Sequence, residues 1–238
     1  MTPDSHTADI TNALIATEMV NSSHASVQAL AQEMVRGIVG TRERAVAIYY
    51  AVRDGFRYDP YEIDLSPQGM SASSVIAHGK GWCVPKAALL AALCRSQGIP
   101  ARLGFSDVKN HLSTPRLRAL MDTDIFYWHG YTSLWLDGRW VKATPAFNRE
   151  LCEKMGIQAL EFDGIHDSIS HPFDLKGNLY MEYITDHGLY DDVPLHEITP
   201  VYQRYYARLL TYKAGGWQDD VNSVHAGRKS GAGTSETP

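Results

Sequence analysis

The segment Gly79-Lys80-Gly81-Trp82-Cys83-Val84-Pro85-Lys86, with the run behind it, constrains this chain more than any other feature. Residues 87–97 are rich in Ala and Leu and free of Gly and Pro, which predicts a helix. Gly98 follows where a left-handed C′ residue belongs. Pro85 fits the first turn, where its missing N–H costs nothing and its φ is already helical. Ala87, Leu90, Leu93 and Cys94 recur at helical spacing, so much of the helix is expected to be buried. Cys83 then sits at the helix start, where unpaired backbone N–H groups and the macrodipole favour negative charge. That setting lowers a thiol pKa and makes a nucleophile. The competing reading is a small buried apolar residue, the usual fate of a free cysteine. Cys94, three turns further on, is read that way.

A chain of 238 residues, 44% hydrophobic and 21% charged, has enough apolar material for one sizeable core. No repeat and no linker between two cores is visible, so residues 1–213 are assigned to a single domain. From Ala214 onward Gly, Ser and charged residues dominate, and 214–238 is expected to be a disordered tail. The net charge of −5 leaves no basic footprint for nucleic acid. No apolar run reaches the length of a membrane span, so no membrane partner is expected. The first residues lack the basic start and apolar core of a secretory signal, and a cytoplasmic setting is the expectation. Cys83, Cys94 and Cys152 are too few and too scattered for a disulfide framework. None stands in a C-x-x-C pair, and neither a metal nor another cofactor is expected.

Two amphipathic helices are predicted ahead of the cysteine. One starts at Ser26 and carries Val27, Leu30, Met34 and Ile38; the other spans 41–53. Residues 13–20 read as a strand or an extended segment, 99–105 as a short strand, 151–155 as a short helix, 180–184 as a strand and 198–213 as a packing helix. The clearest β signal is a hairpin, in which 126–136 and 139–143 flank the turn dipeptide Asp137-Gly138. Alternation in its first arm places His129, Tyr131, Ser133 and Trp135 on one face. Trp128, Gly130, Thr132 and Leu134 fall on the other. The return arm brings Thr144 back toward His129.

Cysteine catalysis needs a base for the thiol proton and a third group that orients the base. His129, on the hairpin arm, is the natural candidate. His78, His111, His166, His171 and His187 compete, with His111 beside Asn110 the strongest rival.

Gly-Trp-Cys at a helix start and the Ala-Leu-Leu helix lead into the exit Arg95-Ser96-Gln97-Gly98-Ile99-Pro100-Ala101-Arg102. A His-bearing strand and a Trp-containing return strand follow, and together these resemble the transglutaminase-like superfamily. The core of the resemblance covers residues 71–145, with the helices over 26–53 as its lead-in. It implies an α+β, papain-like fold, helices packed on an antiparallel β-sheet, with a Cys-His-Asp triad. By position, Cys83 matches the nucleophile and His129 the base. In Trp140-Val141-Lys142-Ala143-Thr144-Pro145 the third position is Thr144, not aspartate. A threonine hydroxyl can accept an imidazole N–H and hold its tautomer, but it cannot offset imidazolium charge as a carboxylate does. Asn148 and Asp163 are the alternatives for that orienting role. Stretches 103–112, 142–148 and 174–192 resemble one group within the superfamily in which the Thr-Pro pattern recurs, which makes Thr144 a feature of that group.

The chemistry this implies is acyl transfer through a Cys83 thioester on a small amide or peptide-like substrate, with hydrolysis ahead of transfer. The Cys83 N–H is one oxyanion donor; Asn110, Tyr58 and Trp82 compete for the second. Trp82 and Trp128 are expected to bracket the catalytic pair, with Trp82, Asn110 and Trp128 as substrate-binding residues. Two other classes compete: an inactive binding protein that keeps the fold, and a metal protein using Cys83, His129 and His111. Oligomeric state is not legible in the sequence.

Overall fold

The structure, a computed structural model, describes residues 5–111, 113–170 and 174–231. Helices α1 (Ser5–Asn12), α2 (Ala25–Met34) and α3 (Thr41–Gly55) lead to the short strand β1 (Arg57–Tyr58). Then come α4 (Pro67–Met70), α5 (Ala72–His78), β2 (Lys80–Gly81) and α6 (Cys83–Ser96). The second half alternates: β3 (Ala101–Asn110), α7 (Pro115–Met121), β4 (Ile125–Leu136), β5 (Arg139–Ala143), α8 (Arg149–Met155) and β6 (Met181–Tyr190). Helices α9 (Leu195–Tyr205), α10 (Ala207–Thr211) and α11 (Trp217–Gly231) close the described chain.

The centre is α6. Every residue from Cys83 to Arg95 is buried, so the helix has no solvent face, in keeping with its Ala- and Leu-rich sequence. Helices α2, α3 and α5 pack on it, and so does the sheet through β3 and β4. That sheet has the order β5-β4-β3-β6, antiparallel throughout. Alternation in β4 follows the expected split. Thr132 donates its hydroxyl to the Ala87 carbonyl of α6 at 2.9 Å, and Gly130 lies against Val84. Tyr131, on the other face, lies over Gly104 of β3, where any Cβ would strike its ring.

The α+β class and the central elements agree with the sequence reading; three regions differ. Residues 13–20 form no strand, but lie as irregular chain after α1 and bury Ala13, Met19 and Val20. The predicted helix over 198–213 is broken between α9 and α10, and Pro200 near the start of α9 removes one backbone donor. The expected disordered tail is instead helical over Trp217–Gly231. Trp217 and Val221 are buried one turn apart, and an apolar pair at that spacing is enough to dock a helix whose composition is otherwise polar. Residues 232–238 lie outside the described chain. No helix among the described residues is long and apolar enough to cross a membrane.

Candidate active site

Cys83 is the first residue of α6, with Trp82 as N-cap. Hydrogen bonding from the backbone N–H groups of Gly130, Val84 and Cys83 favours the ionised form of its thiol. Gly130 belongs to β4, and a Cβ there would stand 3.1 Å from the Val84 Cα. Glycine is what lets this strand approach the helix start closely enough to place an N–H on the thiol. The preceding residue, His129, pairs with Ser106 of β3. Cys83 and His129 are only 5% and 3% exposed, and burial governs both ionisations. It pushes the thiol up to about 11, against the three N–H groups, and pulls the imidazole down to about 4. At rest the site holds a neutral thiol and a neutral imidazole.

Thr144 follows the last residue of β5. Ala143 pairs with Thr132 at the end of the ladder and also bridges Ser168. His129 Nε2 and Thr144 Oγ1 are both buried without a hydrogen-bond partner. The backbone around Thr144 is tightly held. Its carbonyl accepts from the Tyr49 hydroxyl at 3.2 Å, and its N–H donates to the Ser168 carbonyl at 3.0 Å. Two residues on, the Ala146 carbonyl accepts from Lys86 Nζ at 2.9 Å. The two alternatives for the orienting role are committed elsewhere. Asn148 Oδ1 accepts from the Tyr58 N–H, while Asp163 is exposed and holds His166 and the Ile165 N–H.

Cys83 faces a small cavity walled by Tyr58, Trp82, Phe126, Tyr202, Tyr206 and Leu209. Its volume is ≈ 30 Å³, room for a water or two and for no acyl substrate. Trp82 therefore lies where a substrate contact is expected, with its ring 5.3 Å from that of Tyr202. Trp128 is not among the residues lining this cavity and stacks on His187, with ring centroids 4.1 Å apart. Asn110 lines a neighbouring cavity, separated from Cys83 by the shared walls Tyr58, Leu117 and Phe126. The rival histidines are placed apart from the thiol's contacts. His78 bonds the Ser74 carbonyl, His111 lies 3.5 Å from Glu182, and His187 bonds Asp107; His171 lies outside the described residues. No three His, Cys, Asp or Glu side chains gather as a metal would require among the described residues.

Sequence reasoning missed three contributors. Lys86, Tyr49 and the tyrosines of α9 and its C-terminal end act through backbone atoms far along the chain, and nothing local marks them. The only available signal was the position of Lys86, one turn after Cys83 in an otherwise apolar helix.

Residues 28–145 match the transglutaminase-like superfamily. No curated protein matches the sequence. Among solved structures, a protein from Cytophaga hutchinsonii named provisionally as a cysteine protease aligns at 18% identity with a TM-score of 0.47, over 79% of this chain and 55% of that one. The arylamine N-acetyltransferase of Salmonella typhimurium aligns at 12% identity with a TM-score of 0.49, over 79% of this chain and 73% of that one. The chain thus spans little more than half the length of the Cytophaga protein. Through its core over residues 28–145, this chain belongs to the transglutaminase-like superfamily, whose members are cysteine-dependent enzymes built on an α+β, papain-like core.

Proposed function

We propose that this protein is a cysteine-dependent amide hydrolase or acyltransferase in which Cys83 is the nucleophile, His129 the general base and Thr144 the group that orients His129. The observation that carries the reading is the convergence of three backbone N–H groups on a thiol at the start of a buried helix, one of them from the residue after His129. Those donors lie where negative charge develops, first on sulfur and then on the acyl oxygen. As the sulfur attacks the acyl carbon, the imidazole takes the thiol proton. It returns that proton to the leaving amine, and a Cys83 thioester remains. A water, or an acceptor amine in a transferase, then attacks the thioester while the imidazole takes its proton, and the thiol is restored. In the reacting state Thr144 Oγ1 would accept from His129 Nε2–H, a bond neither atom makes in the structure, and the other ring nitrogen would face sulfur. Because a hydroxyl does not offset imidazolium charge, the neutral resting pair is the stable one. The substrate class is a small amide or peptide-like acyl donor.

The test is to incubate the protein with a panel of aryl amides, peptide amides and activated esters, and to look for a covalent acyl adduct by intact mass. Cys83→Ala should remove the adduct, His129→Ala should slow its formation by about 10²–10⁴-fold, and Thr144→Ala should slow it by about tenfold. An adduct that survives Cys83→Ala overturns the assignment. The closed cavity favours a second reading, an inactive binding protein that keeps the fold. No adduct across the panel, together with an unreactive Cys83, would support it.

A further inference from the structure

The ladders on both sides of β3 are irregular around Asp107: the shift toward β4 falls at Asp107, and the two shifts toward β6 fall between Phe105 and Ser106 and between Asp107 and Val108. Toward β4, Ser106 pairs with His129 and Val108 with Phe126, so Tyr127 and Trp128 together oppose Asp107. Toward β6, Phe105 pairs with Gly188 and Ser106 with Asp186, which leaves His187 as the extra residue. Bulges of this kind bend a strand and re-aim a side chain. Here they bring one residue from each neighbour onto the same carboxylate. Asp107 Oδ1 accepts from the Trp128 N–H at 3.0 Å and bonds His187 Nε2 at 2.8 Å. The His187 ring lies nearly parallel to the Trp128 indole, at an interplanar angle of 5°. Trp128 itself has φ +56° inside a strand, a left-handed conformation that a bulky side chain adopts only when its surroundings hold it. The other non-glycine residues at positive φ among those described, Asp122 and Asp137, occupy a helix end and a hairpin turn. Trp128 directly precedes His129. Asp107 and Asp220 are the only buried carboxylates among the described residues.

We infer that Asp107 is the positioning residue of His129: by accepting the Trp128 N–H it holds the left-handed kink that aims the imidazole at Cys83, and His187 fixes the carboxylate in that pose. The inference rests on the reading of Cys83 and His129 as nucleophile and base. It supplies, through the backbone, the restraint on His129 that a triad carboxylate would give directly and that Thr144 gives only as a hydroxyl.

Asp107→Asn and Asp107→Glu separate this role from a purely electrostatic one. Asparagine keeps an acceptor oxygen in the same place without charge. Glutamate keeps the charge but sets its oxygens one methylene too far. Two readouts are taken on each full-length variant: the rate of Cys83 alkylation by iodoacetamide at neutral pH, followed by peptide mass, and the ¹⁵N shifts of the His129 ring. The expected result is alkylation within threefold of wild type for Asp107→Asn with the His129 ring unmoved, and a loss of tenfold or more for Asp107→Glu with the ring resonances displaced. The reverse order, or equal losses in both, overturns the route through Trp128. So does an unmoved His129 ring in Asp107→Glu. If wild-type Cys83 itself resists alkylation while the ring still moves in Asp107→Glu, the nucleophile reading fails and the positioning role stands.

Discussion

At the residue scale, two buried groups with opposite ionisation shifts set the behaviour of the site. His129 refuses a proton that the unfolded chain accepts: its ordinary value is 6.5, and burial takes it to about 4. The unfolded state therefore binds more protons across that window, and stability falls as pH drops from 6.5 toward 4, by up to about 3 kcal/mol from this residue. His129→Gln should flatten that part of the stability curve. Urea midpoints at pH 4.5, 5.5 and 7 measure the slope, and parallel slopes in the two proteins would refute the burial argument. Gly130 is the second residue on which the geometry turns. A methyl group there meets the Val84 backbone at 3.1 Å, and backbone yields less readily than a side-chain tip. Gly130→Ala should cost about 1–3 kcal/mol and draw the N–H away from the thiol, which slower alkylation of Cys83 would register. Wild-type stability and reactivity in this variant would mean that the close approach is not required. Nothing in the sequence marks Gly130 as special. Its alternation partners Thr132 and Leu134 identify the face it occupies, but not the helix backbone that faces it.

At the element scale, α6 was the most legible part of the chain, because an Ala- and Leu-rich run bounded by Pro and Gly leaves few alternatives. The hairpin of β4 and β5 was nearly as clear, since Asp137-Gly138 fixes its register. The less legible elements depend on partners distant in sequence. β6 was visible only as 180–184, yet it runs to Tyr190 because β3 offers it a full ladder. Lys86 shows how such long-range contacts bear on the site. It is fully buried in α6, and its ammonium donates to the carbonyls of Arg53 (3.0 Å), Phe56 (2.6 Å) and Ala146 (2.9 Å). Burial pulls its pKa down, but three carbonyl acceptors match the three N–H donors of the charged form. It ties the end of α3 and the segment after Thr144 to the catalytic helix. Lys86→Met leaves those carbonyls unpaired and should cost about 3 kcal/mol or more, with Thr144 released from its place. Chemical denaturation measures the loss; a change under about 1 kcal/mol would mean that water takes over the three acceptors.

At the scale of the whole molecule, the C-terminal helices cover the site that the rest of the chain builds. Tyr202 donates to the Tyr127 carbonyl at 3.0 Å and Tyr206 to the Ile125 carbonyl at 2.8 Å, while the Tyr127 N–H donates to the Tyr206 hydroxyl at 2.6 Å. All three links fall on β4 just ahead of Trp128 and His129. Further along, Asp220 of α11 is buried and accepts from the Tyr61 hydroxyl at 2.7 Å and from Thr114. This cover was the least legible feature, because Trp217, Asp220 and Val221 sit within a stretch whose composition reads as solvated chain. Its consequence is kinetic. On the proposed reading of Cys83 as nucleophile, an acyl donor larger than the ≈ 30 Å³ beside the sulfur requires its walls, Tyr202 and Tyr206 among them, to move before chemistry. The double variant Tyr202→Phe/Tyr206→Phe keeps the apolar packing and removes the three hydroxyl links, so it weakens the cover without unfolding it. Alkylation of Cys83 should then accelerate by about tenfold or more, one link at the usual net value of a hydrogen bond being worth about 1 kcal/mol. Cys94, fully buried along the same helix, should keep its rate. Equal acceleration at both cysteines would show that the variant loosens the whole core, and the cover would then be no gate.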